Sequence, residues 1–191
     1  MGIDGKKNFN SITMRLATLR DVPELRPLIE ESVRGLQRNE YSEGQREGAL
    51  GHAFGVDTQL IEDQTYYVVE GLEDGRPELV GCGGWSRRKT LFGSDQGPHR
   101  EAGLLDPAVD AAKIRAIFVR PGWARQGLGT KILRAAEAAA VAAGFRELEM
   151  GSTLTGVSLY RREGYVEVER VRVPLPNGEV LEVVRMRKRV G

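Results

Sequence analysis

The chain is poor in the residues that make cross-links and metal sites. Its 191 residues include one cysteine, Cys82, so no internal disulfide framework can form, and a reducing cytoplasm is the expected setting. It has two histidines, His52 and His99, and no cysteine–histidine cluster, so no metal site is expected. No apolar run approaches the roughly 20 residues that cross a bilayer, and no membrane partner is expected. Met1 to Asn10 is polar and lacks the apolar centre of a signal peptide. Lys6 stands where a myristoylation signal wants Ser or Thr. Residues 1–10 therefore read as a flexible tail ahead of a single domain, 11–191. The net charge is only +1, too little for a global field that would draw nucleic acid. Any anion site must be local. No Gly-x-Ser-x-Gly elbow is present, which leaves serine-hydrolase chemistry without support.

What remains is an ordinary globular composition, 40% hydrophobic and 29% charged, long enough to bury one core. Ser11 to Thr18 alternates as a first strand, and Asp21 and Pro23 open a helix carrying Leu25, Leu28, Ile29, Val33 and Leu36 at helical spacing. Ser42 with Gln45 forms a capping box for a glycine-rich second helix, Glu43 to Phe54. Strands follow at Tyr66 to Glu70 and Glu78 to Lys89, joined by the turn Glu73-Asp74-Gly75-Arg76. Thr90 to Asp110 has no period; a loop so long is uncommon unless functional or mobile. After a strand at Ala111 to Val119 comes the strongest helix, Gly127 to Ala143, closed by Gly144. A strand at Glu147 to Thr153, a helix at Thr155 to Glu163 and two strands around Pro176-Asn177-Gly178 complete the chain. This order predicts an α/β (mixed α+β) fold. Its central sheet has about six or seven mostly antiparallel strands with a parallel pair in the middle, flanked by about four helices.

The segment most informative about function lies between the Ala111 strand and the strongest helix. The first N–H groups of a helix have no internal partner and carry the positive end of its dipole. Gly127 and Gly129 let an anion approach that backbone, and Arg125 adds charge. Arg125, Gln126, Gly127, Leu128, Gly129 and Thr130 together make a recipe for a pyrophosphate grip; the plain alternative is a tight turn. Two nucleotide motifs fail here. Gly122 and Gly127 have Walker A spacing, but Leu128 replaces its lysine. Ile132 occupies the third-glycine position of a dinucleotide fingerprint.

The same segment, Val119-Arg120-Pro121 followed by Gly127-Leu128-Gly129, resembles motif A of the GNAT superfamily, the Gcn5-related N-acetyltransferases. Ala124 stands where that motif carries Arg or Gln. One strand later, Gly156-Val157-Ser158-Leu159-Tyr160-Arg161-Arg162-Glu163-Gly164-Tyr165 resembles motif B. Gly156 takes its alanine position, and Thr153 stands where an asparagine is common. The resemblance covers most of residues 11 to 190 and is specific over Ala111 to Tyr165. It implies a GNAT-like fold, acetyl-CoA as cofactor, and direct attack of a primary amine of a small molecule or peptide on the thioester. It implies that the backbone of Ile117, Phe118 and Val119 holds the pantetheine, one of its N–H groups polarising the thioester carbonyl. Thr153 and Tyr160 would also contact the cofactor, with Tyr160 as the acid for the departing thiolate; a plain core tyrosine is the alternative. A homodimer is compatible with the family, although no interface pattern stands out.

The family often places a glutamate on the strand before motif A. Here that strand carries Lys113 and Arg115 and no acid. Glu31, Glu43, His52, His99 and Asp110 remain as candidate bases, each with a bland alternative as a solvated or capping residue. For the acceptor, Trp85 at a strand end and Tyr41, Gln45 and Phe54 in the region of the second helix are candidates, with packing as their alternative. The missing strand glutamate leaves a second reading open, a non-catalytic acyl-CoA sensor on the same fold.

Overall fold

A computed structural model describes residues 7–97, 101 and 103–191. Seven strands form one sheet in the order β1-β2-β3-β4-β5-β7-β6. They are β1 Lys7–Leu16, β2 Tyr66–Glu73, β3 Arg76–Ser86, β4 Ala112–Val119, β5 Glu147–Thr153, β6 Val166–Pro174 and β7 Val180–Arg189. All neighbours pair antiparallel except β4 and β5, the parallel pair. The helices are α1 Val22–Leu36, α2 Glu43–Ala49, α3 Thr58–Glu62, α4 Leu128–Ala142 and α5 Val157–Arg162. The mixed fold agrees with the expectation from sequence, with five helices in place of about four.

Among the differences from the sequence reading, three have a clear local reason. β1 begins at Lys7, inside the segment read as tail, because the β2–β3 hairpin extends far enough for Lys7 and Asn8 to pair with Glu73 and Leu72 beyond a bulge. Main-chain pairing at a sheet edge needs no apolar side chain. The second helix stops at Ala49, where Leu50 turns extended and Gly51 adopts φ 76°. The helix missed by sequence, α3, is capped by the Asp57 carboxylate, which accepts from the Gln59 N–H at 3.2 Å. Five residues are too few to display a helical period.

The capping box is present: Gln45 N–H donates to Ser42 Oγ at 3.1 Å and Ser42 N–H to Gln45 Oε1 at 2.9 Å. The Glu73–Arg76 turn places Asp74 and Gly75 at φ 51° and 77°, the doubly left-handed turn that matches the twist of a hairpin. α4 lies on one face of the sheet and buries Leu128, Ile132, Leu133, Ala136 and Ala140. The other face is covered by α1, which buries Leu25, Leu28, Ile29 and Val33. β7 is an interior strand of the sheet, because β6 takes the edge.

A charge cluster holds the parallel pair. Lys113 on β4 bonds Glu149 on β5, which also accepts from Arg185 Nε at 2.6 Å and Arg187 Nε at 2.8 Å. Burial pushes the Glu149 carboxyl up, but bonds from Lys113, Arg187 and Arg185 outweigh it and hold the group at about 2. A folded value below the ordinary 4.5 means a stabilising contribution present above pH 4.5 and lost as pH falls toward 2. Melts between pH 2 and 7 should therefore show a falling acid limb. Glu149→Gln should flatten that limb and lower Tm at pH 7, because Lys113 loses its buried partner, at a cost of about 3–5 kcal/mol.

Candidate functional site

β4 and β5 touch only at their starts: Ala112 faces Leu148 and Lys113 faces Glu149, and no pairing follows. The cause is a bulge. Ala116 adopts φ 52°, a left-handed conformation that a residue with a Cβ adopts only under local constraint. Opposite it the β3 register shifts between Cys82 and Gly84. Buried Tyr66 donates its hydroxyl to the Ala116 carbonyl at 2.9 Å and fixes the kink. Beyond it the strands splay and open a cleft.

One end of the cleft is the start of α4. Gly127 is its N-cap at φ 79°, with no side-chain capping bond. The first helical bond is Lys131 N–H to Gly127 O at 2.9 Å, so the N–H groups of Leu128, Gly129 and Thr130 are left without helical partners. Arg125, Gln126 and Gly127 are exposed, and Leu128 is buried against Trp123 and Ile132. The Leu128 side chain thus anchors the loop, and only its backbone can face a ligand. A Cβ on Gly127 would meet nothing within 4 Å, and one on Gly129 would meet Leu159 Cδ1 at 3.3 Å. Gly129 lines the cleft; Gly127 sits at its rim, open to solvent.

Ile117, Phe118, Val119, Thr153 and Tyr160 all line this cleft. Val119 N–H already donates to Ser32 Oγ at 3.3 Å. Thr153 Oγ1 accepts from Gly156 N–H at 3.2 Å and so caps the turn into α5. A Cβ at position 156 would lie 2.8 Å from the Tyr160 ring, so a side chain there would displace the ring from its present position. The Tyr160 ring packs edge-on against Tyr165, centroids 5.9 Å apart. Its hydroxyl has no hydrogen-bond partner among the described residues, and burial pushes the phenol up to about 12. Thr155 also lines the cleft with a buried, unpartnered Oγ1.

Three of the four acceptor candidates lie elsewhere. Tyr41 is buried; its hydroxyl donates to Glu182 O at 2.6 Å and accepts from Leu154 N–H at 2.9 Å, tying the end of α1 to β7. Gln45 completes the capping box and donates Nε2 to Val180 O at 2.7 Å. Trp85 is buried against Phe145 on the α4 side of the sheet. All three hold the fold together.

The candidate bases fare similarly. Glu31 pairs with Arg120. Glu43 is exposed in the first turn of α2. Asp110 accepts from Asp106 N–H at 2.8 Å and caps a loop turn. His52 does not line the cleft, and His99 lies outside the described residues.

Of the opposite wall, the sequence reading names only Phe54. Leu91, Phe92 and Gly93 from the long loop line the cleft together with Ala53, Phe54 and Gly55. Arg115, buried on β4, fastens this wall. It donates to Thr90 O and Gly93 O, both at 2.9 Å, and to Asp57 Oδ2 at 2.8 Å. Ser94 Oγ reaches Gly51 O at 2.8 Å, and Asp95 N–H reaches Val56 O at 2.9 Å. The loop is therefore bound to the α2–α3 turn. Gln37 at the end of α1 completes the lining.

No curated protein matches the chain. Among solved structures it is similar to a GCN5-related N-acetyltransferase from Rhodopseudomonas palustris, with TM-score 0.64, 20% identity and 93% and 95% of the two chains covered. It is also similar to the PaiA N-acetyltransferase of Thermoplasma acidophilum in complex with coenzyme A, with TM-score 0.59, 14% identity and coverage of 94% and 99%. A third is the yncA protein of Salmonella typhimurium with its cofactor acetyl-CoA, with TM-score 0.60, 17% identity and 95% of each chain covered. At these identities the likeness carries the fold alone. The Acetyltransferase (GNAT) family matches residues 31–165, most of the chain and every residue that lines the splayed cleft, and the chain therefore belongs to the GNAT acetyltransferase family.

Proposed function

We propose that this protein is an acetyl-CoA-dependent N-acetyltransferase that moves the acetyl group to a primary amine of a small molecule or peptide by direct attack in a ternary complex. The observation that carries the reading is one continuous cleft. It has unpartnered helix N–H groups and glycines at one end, and an unpartnered phenol, Tyr160, on its wall. Acetyl-CoA supplies an acetyl thioester, whose sulfur leaves as the amine nitrogen bonds the carbonyl carbon.

The Gly127–Thr130 backbone receives the pyrophosphate, and the open edge of β4 receives the pantetheine amides. Family membership favours catalysis over a binding-only module. Thiol release, followed with a thiol reagent across an amine panel and matched to acetylated product by mass spectrometry, tests the reading. Tight acetyl-CoA binding with no release on any amine would overturn it.

A further inference from the structure

We infer that the acceptor is an aromatic primary amine that arrives uncharged and is held by an N–H···O bond to the side-chain carbonyl of Gln37. The inference rests on the acetyltransferase reading and deepens it. Gln37 is 5% exposed, lines the cleft, and its Oε1 has no hydrogen-bond partner. A buried acceptor without a donor is costly, and such groups in folded proteins call for an explanation. The residue is firmly held: its N–H donates to Val33 O at 3.3 Å, and its backbone carbonyl accepts from Glu40 and Tyr41 N–H at 3.2 and 3.0 Å. Those two bonds satisfy the Gln37 backbone carbonyl and hold the residue in place.

The charge inventory fixes the protonation state of the ligand. No Asp, Glu, His or Lys is among the described residues lining the cleft, and its one ionic side chain, Arg115, is bonded to Asp57. An ammonium entering such a site would lose its hydration and gain no counter-charge. A lysine-like amine of pKa about 10.4 is neutral in only about one molecule per thousand at pH 7.4. A weakly basic aromatic amine is neutral throughout. The walls suit such a body: Phe54 and Phe92 are aromatic, and Phe92 packs directly over bare Gly151 on β5.

The chemistry agrees. A neutral amine has its lone pair free, so no residue need strip a proton before attack. The nitrogen bonds the carbonyl carbon, the carbon–sulfur bond breaks with its electron pair going to sulfur, the nitrogen loses one proton to solvent and sulfur gains one. The absence of a strand glutamate is then consistent with the substrate rather than a defect.

The test uses the full chain with acetyl-CoA, comparing aniline and its ring-substituted relatives with benzylamine at pH 7.4. kcat/KM for aniline is expected to exceed that for benzylamine by at least roughly tenfold, given the neutral fractions. Gln37→Met should lower aniline kcat/KM roughly 3- to 10-fold through loss of one hydrogen bond. It should leave the acetyl-CoA Kd unchanged and should not lower Tm, because Oε1 has no partner to lose. Gln37→Asn keeps the amide but withdraws it by one methylene, and should lower aniline kcat/KM as well, which covers the case of a poorly folded Met variant. Preference for benzylamine, or unchanged aniline kinetics in both variants, overturns this inference and leaves acetyl transfer standing. No transfer to any amine despite bound acetyl-CoA overturns both.

Discussion

Tyr160→Phe is expected to lower kcat by roughly 10²-fold or more, within the range typical of lost acid–base assistance, while the Kd for acetyl-CoA stays within about twofold. The substitution removes one oxygen and no packing volume. The ring keeps its edge contact with Tyr165, and the hydroxyl it loses has no partner among the described residues, so Tm should not fall. The state of the phenol refines its task. Burial pushes it up to about 12, above the roughly 8.5 of an ordinary thiol. Outright proton transfer to a thiolate is therefore uphill. What Tyr160 can do is donate a hydrogen bond as negative charge grows on sulfur, and pass its proton on only as it regains one from the nitrogen side. Both roles act in the transition state more than in the ground state, which is why kcat should bear the loss and cofactor affinity should not. Stopped turnover with weakened cofactor binding, or unchanged turnover, would remove Tyr160 from the chemistry.

The division between what the sequence discloses and what it hides follows the range of the interactions. Asp74-Gly75 and Ser42–Gln45 announce a turn and a helix start because the bonds involved span two or three residues. Gly127 and Gly129 announce the start of α4 because a helix N-terminus is a local object. Motif B places Tyr160 through its neighbours along one short helix. The cleft wall built from the long loop has no such local trace. Leu91 and Phe92 sit in an aperiodic loop, and their placement is decided by Arg115, 24 and 23 positions later, through bonds to Thr90 and Gly93 carbonyls.

Arg115 itself reads from sequence as a strand position lacking an expected acid; its work as a fastener is visible only in three dimensions. Tyr41 and Gln45 show the converse error. Both lie in the helix pair that covers the site, and their polar tips invite a binding role. β7 returns from more than a hundred residues away and takes those tips with the carbonyls of Glu182 and Val180. Trp85 fails for another reason: residues 79–86 of β3 are buried throughout, so strand alternation gives no means of telling which face meets the cleft. Gln37 is the hardest case, since what singles it out is the absence of any bond to Oε1.

Bulky residues in the glycine loop should damage cofactor binding far more than loss of its arginine. Gly127→Val places a β-branched side chain at φ 79°, a conformation such residues rarely adopt, at a cost of about 1–3 kcal/mol. A Cβ there meets open space within the protein, so the added side chain points to where a pyrophosphate would lie. Gly129→Val presses on Leu159, whose Cδ1 stands 3.3 Å from the position of a first Cβ, and narrows the cleft at the helix start. Together strain and exclusion should raise the acetyl-CoA Kd roughly 100-fold for Gly127→Val, an energy near 2.7 kcal/mol. Arg125→Ala removes an exposed charge that water and salt already screen, and should raise Kd by no more than about fivefold, the scale of exposed ion pairs. Titration calorimetry at two salt concentrations separates the terms. A grip built from backbone N–H groups keeps most of its affinity in Arg125→Ala at low and high salt alike, whereas one built on side-chain charge would lose it with either change. If Arg125→Ala proves the more damaging substitution, the splayed strands would still admit a pantetheine, but the pyrophosphate would have to be held by the arginine rather than by the start of α4.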